Sequence, residues 1–179
     1  MRRQLRPTDV KRLNRTWRRN TGNRLSLIIE SVTGPFNIGS IFRSAAAFGV
    51  DEIWLAGNAT PPTNPKAGKT ALGTERLVTW HEPIPAADAV KAAKEEGYAV
   101  LAIELTAEAV PLHRADLARD VCLVVGSEDH GCSPALLEAV DGVCYIPQVG
   151  RVGSFNVAVA AAIALAETRR QEWENLPEP

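Results

Sequence analysis

The sequence predicts an α/β fold, a parallel sheet with helices on both faces. Three observations carry this expectation. Short apolar runs that read as strands alternate along the chain with segments whose apolar residues recur at helical spacing. The run 121–125 (VCLVV) is continuously apolar, as a strand covered on both faces of a parallel sheet must be. At 179 residues, 45% hydrophobic and 23% charged, the chain also has the size and composition of one globular domain that needs no disulfide or metal to hold a core.

The elements follow in order. Residues 25–32 (LSLIIESV) form a short buried strand broken by Gly34-Pro35. Over 37–48, Ile38, Ile41, Phe42, Ala45 and Phe48 trace one helical face, with Asn37 as its N-cap and Arg43 off the apolar side. Residues 51–57 give the next strand. The Pro-, Asn-, Thr- and Gly-rich stretch 58–73 reads as a long loop, a feature that in a compact domain is usually functional. A helix over 85–96 ends at Gly97, and strands follow at 98–104 and 121–125. A short helix over 134–140 has proline in its first turn. A strand at 143–146 and an alanine-rich helix over 154–170 complete the pattern. The chain thus divides into a basic arm or helix (1–24), one α/β domain (25–170) and a C-terminal tail (171–179), whose acidic, proline-rich stretch ENLPEP is expected to fray.

Composition narrows the class. No apolar run reaches the length of a membrane span, and the basic N-terminus lacks the apolar centre of a secretory signal. Cytoplasm is the expected compartment; an arginine-rich transit peptide fits less well with Asp9 and the polar run 20–23. Cys122, Cys132 and Cys144 are odd in number and widely spaced, which argues against a metal site and a disulfide framework. The first and last are expected as core thiols, and Cys132, in a loop after a glycine, as the more exposed one. Net charge is −1, yet residues 1–24 carry +8 and the remainder −9. A concentrated basic segment on an acidic body is the footprint of a nucleic-acid arm, with Arg12, Arg15, Arg18 and Arg19 as RNA contacts and Trp17 placed to stack on a base.

Two familiar signatures are missing. Gly68-Lys69-Thr70 resembles the end of a phosphate-binding loop, but Thr63 stands where that motif requires glycine. No G-x-G-x-x-G is present to support a dinucleotide oxidoreductase. Three other segments carry a signal together: 37–49 (NIGSIFRSAAAFG), 126–131 (GSEDHG) directly after the VCLVV strand, and 145–150 (YIPQVG) running into 154–160 (SFNVAVA). In this order and spacing they resemble the SPOUT superfamily of RNA 2′-O-ribose methyltransferases, in its TrmH-like branch, from about residue 25 to 170. Phe155 and Asp129 depart from the pattern, which more usually has leucine and glycine there.

The resemblance implies a SPOUT methyltransferase domain over 25–170, a C-terminal deep trefoil knot, a homodimer, and S-adenosylmethionine as methyl donor. Carried onto this sequence, it assigns donor contacts to Ile103, Gly126, Ile146, Ser154 and Phe155, with Gly126 a glycine so that the donor can approach its backbone. It assigns Arg43, Asn37, Glu128 and Asn156 to catalysis, with Arg43 reaching the partner subunit's site. A guanidinium stays protonated at neutral pH, so Arg43 is expected to position the ribose and stabilise the developing alkoxide rather than act as a base. The implied reaction is methyl transfer to a ribose 2′-hydroxyl, of the guanosine-2′-O type. The short chain and its arm favour tRNA. The same reaction on rRNA, and a non-catalytic RNA-binding protein of this fold, remain the alternatives. No metal and no membrane are expected to take part.

Overall fold

A computed structural model describes residues 3–174 and 176. Seven strands form one sheet in the order β3-β2-β1-β6-β4-β7-β5, and every pairing is parallel. They are β1 (Leu25–Glu30), β2 (Glu52–Ala56), β3 (Thr79–Ile84), β4 (Ala99–Ile103), β5 (Val110–Pro111), β6 (Val121–Val125) and β7 (Gly142–Tyr145). β1 and β6 are buried throughout and lie side by side; β6 is a continuous apolar run that must be covered on both faces, and β1 is apolar but for Ser26 and its closing Glu30.

The pleat sends alternate side chains to two cores. Leu25, Leu27 and Ile29 of β1 join one with Phe42 and Ala45 of α2 (Pro35–Phe48) and Ala161 and Leu165 of α6 (Val157–Trp173). Ile28 points to the other, with Val90 of α4 (Ala86–Glu95) and Leu136 of α5 (Pro134–Ala139). Helices therefore cover both faces, as the alternating pattern predicts.

Four boundaries differ from the sequence reading. The stretch 58–73 is not a structureless loop: α3 (Pro65–Ala71) begins there, capped by the Asn64 side chain, which accepts a bond from Lys66 N–H at 2.9 Å. It packs against α2 so closely that a Cβ on Gly39 would lie 2.4 Å from the Ala67 carbonyl. β3 carries no strand signal in sequence because TWHEPI contains proline and alternates weakly; as an edge strand it tolerates both. α2 starts at Pro35 after Gly34, so Asn37 lies within its first turn and is not its cap. The last helix starts at Val157, not Ser154, and runs to Trp173, past the expected end at Arg170.

The N-terminal arm is a docked helix, α1 (Pro7–Asn20). Trp17 does not face outward to meet a base; its ring packs on Trp173 at 4.7 Å between centroids, and the Trp173 indole N–H donates to Thr21 Oγ1. Below this contact Arg169 is 97% buried at its side chain and donates to the carbonyls of Asn23, Phe48 and Gly49 as well as to Glu172. Glu172 in turn accepts the backbone N–H groups of Gly22 and Asn23. Every polar atom of this buried pair that could be stranded has a partner, the condition under which a buried ion pair holds a structure together. Residues 171–173 of the expected tail are the last of α6, and most of the stretch ENLPEP (174–179) expected to fray lies outside the described residues.

Candidate active site

In a parallel sheet, ligands sit at the carboxyl ends of the strands, where the loops diverge. A cleft opens there between the ends of β4, β6 and β7 and the start of α6. Ile103, Gly126, Ile146, Ser154 and Phe155, the five positions expected to meet a methyl donor, all line it.

The loop after β6 is built tightly. Ser127 and Gly131 exchange two backbone hydrogen bonds, and His130 N–H donates to Ser127 Oγ. Two carboxylates from the strands flanking β6 hold the loop from either side. Glu30, at the end of β1, accepts from Ser133 N–H at 2.8 Å, and Glu104, just past β4, accepts from Cys132 N–H at 2.9 Å. A Cβ on Gly126 would lie 2.2 Å from the Gly131 carbonyl carbon and 2.4 Å from Cys132 N. The space at Gly126 is thus needed by the chain's own backbone, a different reason from the ligand approach expected. Gly131 has φ of +65°, the left-handed region glycine adopts without penalty. Cys132 is buried, contrary to expectation, because the loop folds back over it; burial and then the neighbouring Glu104 and Glu30 carboxylates push its thiol well above the usual range. Cys122 and Cys144 are core thiols, as expected, and burial raises Cys144 to about 11.

At the rim of the cleft three of the four expected catalytic side chains form one chain of hydrogen bonds. Asn156 is the N-cap of α6: its Oδ1 accepts from Ala158 N–H at 3.0 Å and Val159 N–H at 3.3 Å. That leaves its Nδ2 to donate to Asn37 Oδ1 at 3.0 Å, and Asn37 Nδ2 then donates to Glu128 Oε1. The cap fixes the direction of every bond in the series, so Glu128 ends it as an acceptor. Groups from α2, α6 and the β6 loop are tied together at a point that the sequence separates by as much as 119 residues.

Arg43 is not in this cluster. It is exposed, does not line the cleft, and makes no ion pair among the described residues. At 3.6 residues per turn it lies about 120° around α2 from Asn37, rather than beside it. It shares an outer stripe of α2 with Phe36, seven residues earlier, whose side chain is 59% exposed. Phe155 and Val159, also exposed, flank the start of α6. Arg12, Arg15, Arg18 and Arg19 are all exposed on α1. Arg12, Arg15 and Arg19 share one face, opposite Val10, Leu13 and Trp17. Among the described residues no group of His, Cys, Asp or Glu could hold a metal, and no helix is long and apolar enough to cross a membrane. Glu30 and Glu104 were missed at the sequence level, although a single acid closing an apolar strand was the available signal.

Comparison with known proteins agrees with this geometry. The tRNA (guanosine(18)-2'-O)-methyltransferase of Thermus thermophilus is 33% identical over 149 residues, covering 82% of this chain and 75% of that protein. The 23S rRNA (guanosine-2'-O-)-methyltransferase RlmB of Acinetobacter baylyi is 32% identical, covering 85% of this chain and 62% of that protein. The crystal structure of an AdoMet-bound rRNA methyltransferase from Sinorhizobium meliloti superposes with a TM-score of 0.78 at 28% identity, over 85% of this chain and 58% of that one. The chain thus spans less than two thirds of the length of the latter two. Residues 24–166 match the SpoU rRNA Methylase family, and with these similarities the chain belongs to that family.

Proposed function

We propose that this protein is an S-adenosylmethionine-dependent RNA methyltransferase acting on a ribose 2′-hydroxyl, of the guanosine-2′-O type. The observation that carries this reading is the Asn156–Asn37–Glu128 chain of hydrogen bonds on the rim of the cleft at the strand ends. The cleft suits the donor: backbone at Gly126 and Gly131, apolar surface from Ile103, Ile146 and Phe155 for an adenine, and carboxylates for a cationic centre. Bound there, the donor supplies an electrophilic methyl group. The chain's own residues position the nucleotide, hold Glu128 as the accepting end of the hydrogen-bonded series, and bring a fixed positive charge to the oxygen that develops charge as its proton leaves.

Arg43 supplies that charge, and it does so for the partner subunit of a homodimer. The stripe of Phe36 and Arg43 on α2, beside exposed Phe155 and Val159 at the start of α6, offers an apolar surface for a second copy, next to the site. A two-fold contact on this surface would carry Arg43 across to the partner's cleft. We also infer a C-terminal trefoil knot. β7 inserts between β4 and β5, strands already joined to each other, and α6 then packs against α2 and the short helical turn after β5.

RNA contacts are assigned to Arg12, Arg15, Arg18 and Arg19 on docked α1. Replacing Arg12, Arg15 and Arg19 by alanine should flatten the dependence of log affinity on log salt by about two units, with donor affinity unchanged. An unaltered slope would move the RNA surface elsewhere, to Lys66, Lys69 and Arg76 around α3. tRNA is the proposed substrate; the similarity to an rRNA-methylating relative keeps rRNA as the second reading.

The test is transfer of labelled methyl from S-adenosylmethionine to unmodified tRNA and rRNA transcripts, followed by alkaline hydrolysis and nucleoside mass spectrometry. A 2′-O-methyl nucleotide resists alkali because it has no free 2′-hydroxyl. Label recovered in one alkali-stable dinucleotide supports the proposal. RNA binding without any transfer would favour the non-catalytic alternative.

A further inference from the structure

The charge lining the cleft is all of one sign. Two charged residues line it, Glu104 and Glu128, both acidic, and no lysine, arginine or histidine does so among the described residues. Neither carboxylate has a cationic partner there. Glu104 is held by neutral backbone donors: Oε1 accepts from Leu105 N–H at 2.9 Å and Oε2 from Cys132 N–H at 2.9 Å. Glu128 is held by the Asn37 amide. Neutral donors stabilise a carboxylate in its ionised form without cancelling its charge. The negative potential of both groups is therefore directed into a partly desolvated cleft, where an uncompensated charge acts more strongly than at an open surface.

This bears on which ligand the cleft prefers. A sulfonium donor has one more positive charge than the thioether it becomes after giving up its methyl group, and the two are otherwise nearly the same in shape. We propose that Glu104, supported by Glu128, makes this cleft charge-selective, favouring the sulfonium donor over the thioether product, so that methyl transfer itself weakens the ligand's hold. Glu104 is the specificity residue because it is fixed on both oxygens at the end of β4, deep beside Ile103, whereas Glu128 stands at the rim. The inference rests on the reading of this cleft as the donor site.

The experiment is calorimetric titration of the full chain and of the Glu104→Gln and Glu128→Gln variants. Three ligands are compared at low salt: S-adenosylmethionine, S-adenosylhomocysteine, and sinefungin, which carries an ammonium where the donor has its sulfonium. The native protein should bind the two cationic ligands at least about tenfold tighter than the thioether. Glu104→Gln should reduce that ratio to about threefold or less by weakening the cationic ligands alone, and Glu128→Gln should reduce it less. Glutamine cannot accept from both Leu105 N–H and Cys132 N–H as the carboxylate does, so a purely structural role would weaken all three ligands together and leave the ratio intact. An intact ratio in Glu104→Gln, or equal affinities in the native protein, would overturn the proposal while leaving the donor site standing. Failure of the native protein to bind any of the three would overturn the donor site and this inference with it.

Discussion

The loop after β6 and the segment after β7 line the same cleft and are held in different ways. Residues 126–133 are bridged to themselves by Ser127 and Gly131 and fastened by Glu30 and Glu104 from the strands on either side. Residues 147–156 are exposed throughout, and none of the loop or turn backbone hydrogen bonds among the described residues involves 147–155. Val149 and Val152 lie open to solvent. One wall of the cleft is thus fastened by its own hydrogen bonds and the other is not. A segment with few buried contacts and few protected hydrogen bonds is where opening costs least, so a ligand can enter past it and be closed over. The folded wall, by contrast, sets the position of backbone groups that a ligand must meet.

A matched pair of substitutions is the strongest way to break this contrast. Gly126→Val on the folded wall drives a branched side chain into the Gly131–Cys132 backbone and should cost about 3 kcal/mol or more, read as a lowered unfolding midpoint. Gly150→Val on the open segment meets nothing within 4 Å and should change stability by about 0.5 kcal/mol or less. Equal losses at both glycines would erase the distinction. Next in size is Asn156→Ala, which removes the cap of α6 and should cost about 1 kcal/mol, while turnover falls more than donor affinity because Asn37 loses its orientation. Stability loss with unchanged turnover would reduce Asn156 to a cap.

Hydrogen exchange sharpens the comparison without a mutation. The amides of Gly131, Cys132 and Ser133 should exchange slowly with or without donor, and those of 148–155 quickly until donor is added. Slow exchange of 148–155 in the free protein would mean that the open wall is already closed. The smallest expected effect is at Cys132, whose thiol is buried on the folded wall and pushed up by that burial and by Glu104 and Glu30. It should not react with a disulfide reagent at neutral pH in the folded protein; prompt reaction would show that this wall opens too.

The strands and helix that support the folded wall were legible in the sequence through their periodicity, while the Glu30 and Glu104 bonds that fasten it were not. β1, β6 and α2 bury continuous or helically spaced apolar residues, and such patterns survive in a single sequence. β3 was not legible because an edge strand with Pro83 and half-covered faces leaves little pattern, while α3 was hidden in a Pro- and Asn-rich stretch where Asn64-Pro65 was in fact a helix start. At the site, the resemblance supplied the residues but not their connections. That Asn156 caps α6 and hands a hydrogen bond to Asn37 depends on a contact across most of the chain, and no local spacing encodes it. The placing of Arg43 away from the cleft of its own chain likewise follows from the rotation of α2, not from its nearness to Asn37 in sequence.

In the proposed dimer the cleft of one subunit works with Arg43 of its partner, and dimers of mixed composition separate this arrangement from one confined to a single chain. Arg43→Ala should lower methyl transfer by about 10²–10³-fold, a loss of roughly 3–4 kcal/mol of transition-state stabilisation, with the unfolding midpoint unchanged. Ser154→Trp, on the open wall, should fill the cleft and abolish donor binding. Each variant alone should be inactive as a homodimer. A purified heterodimer of the two unites the intact cleft of the Arg43→Ala subunit with the intact arginine of the other, so it should regain about half of native activity, one working site of two. A heterodimer as inactive as both parents would contradict the account and return Arg43 to the site of its own chain.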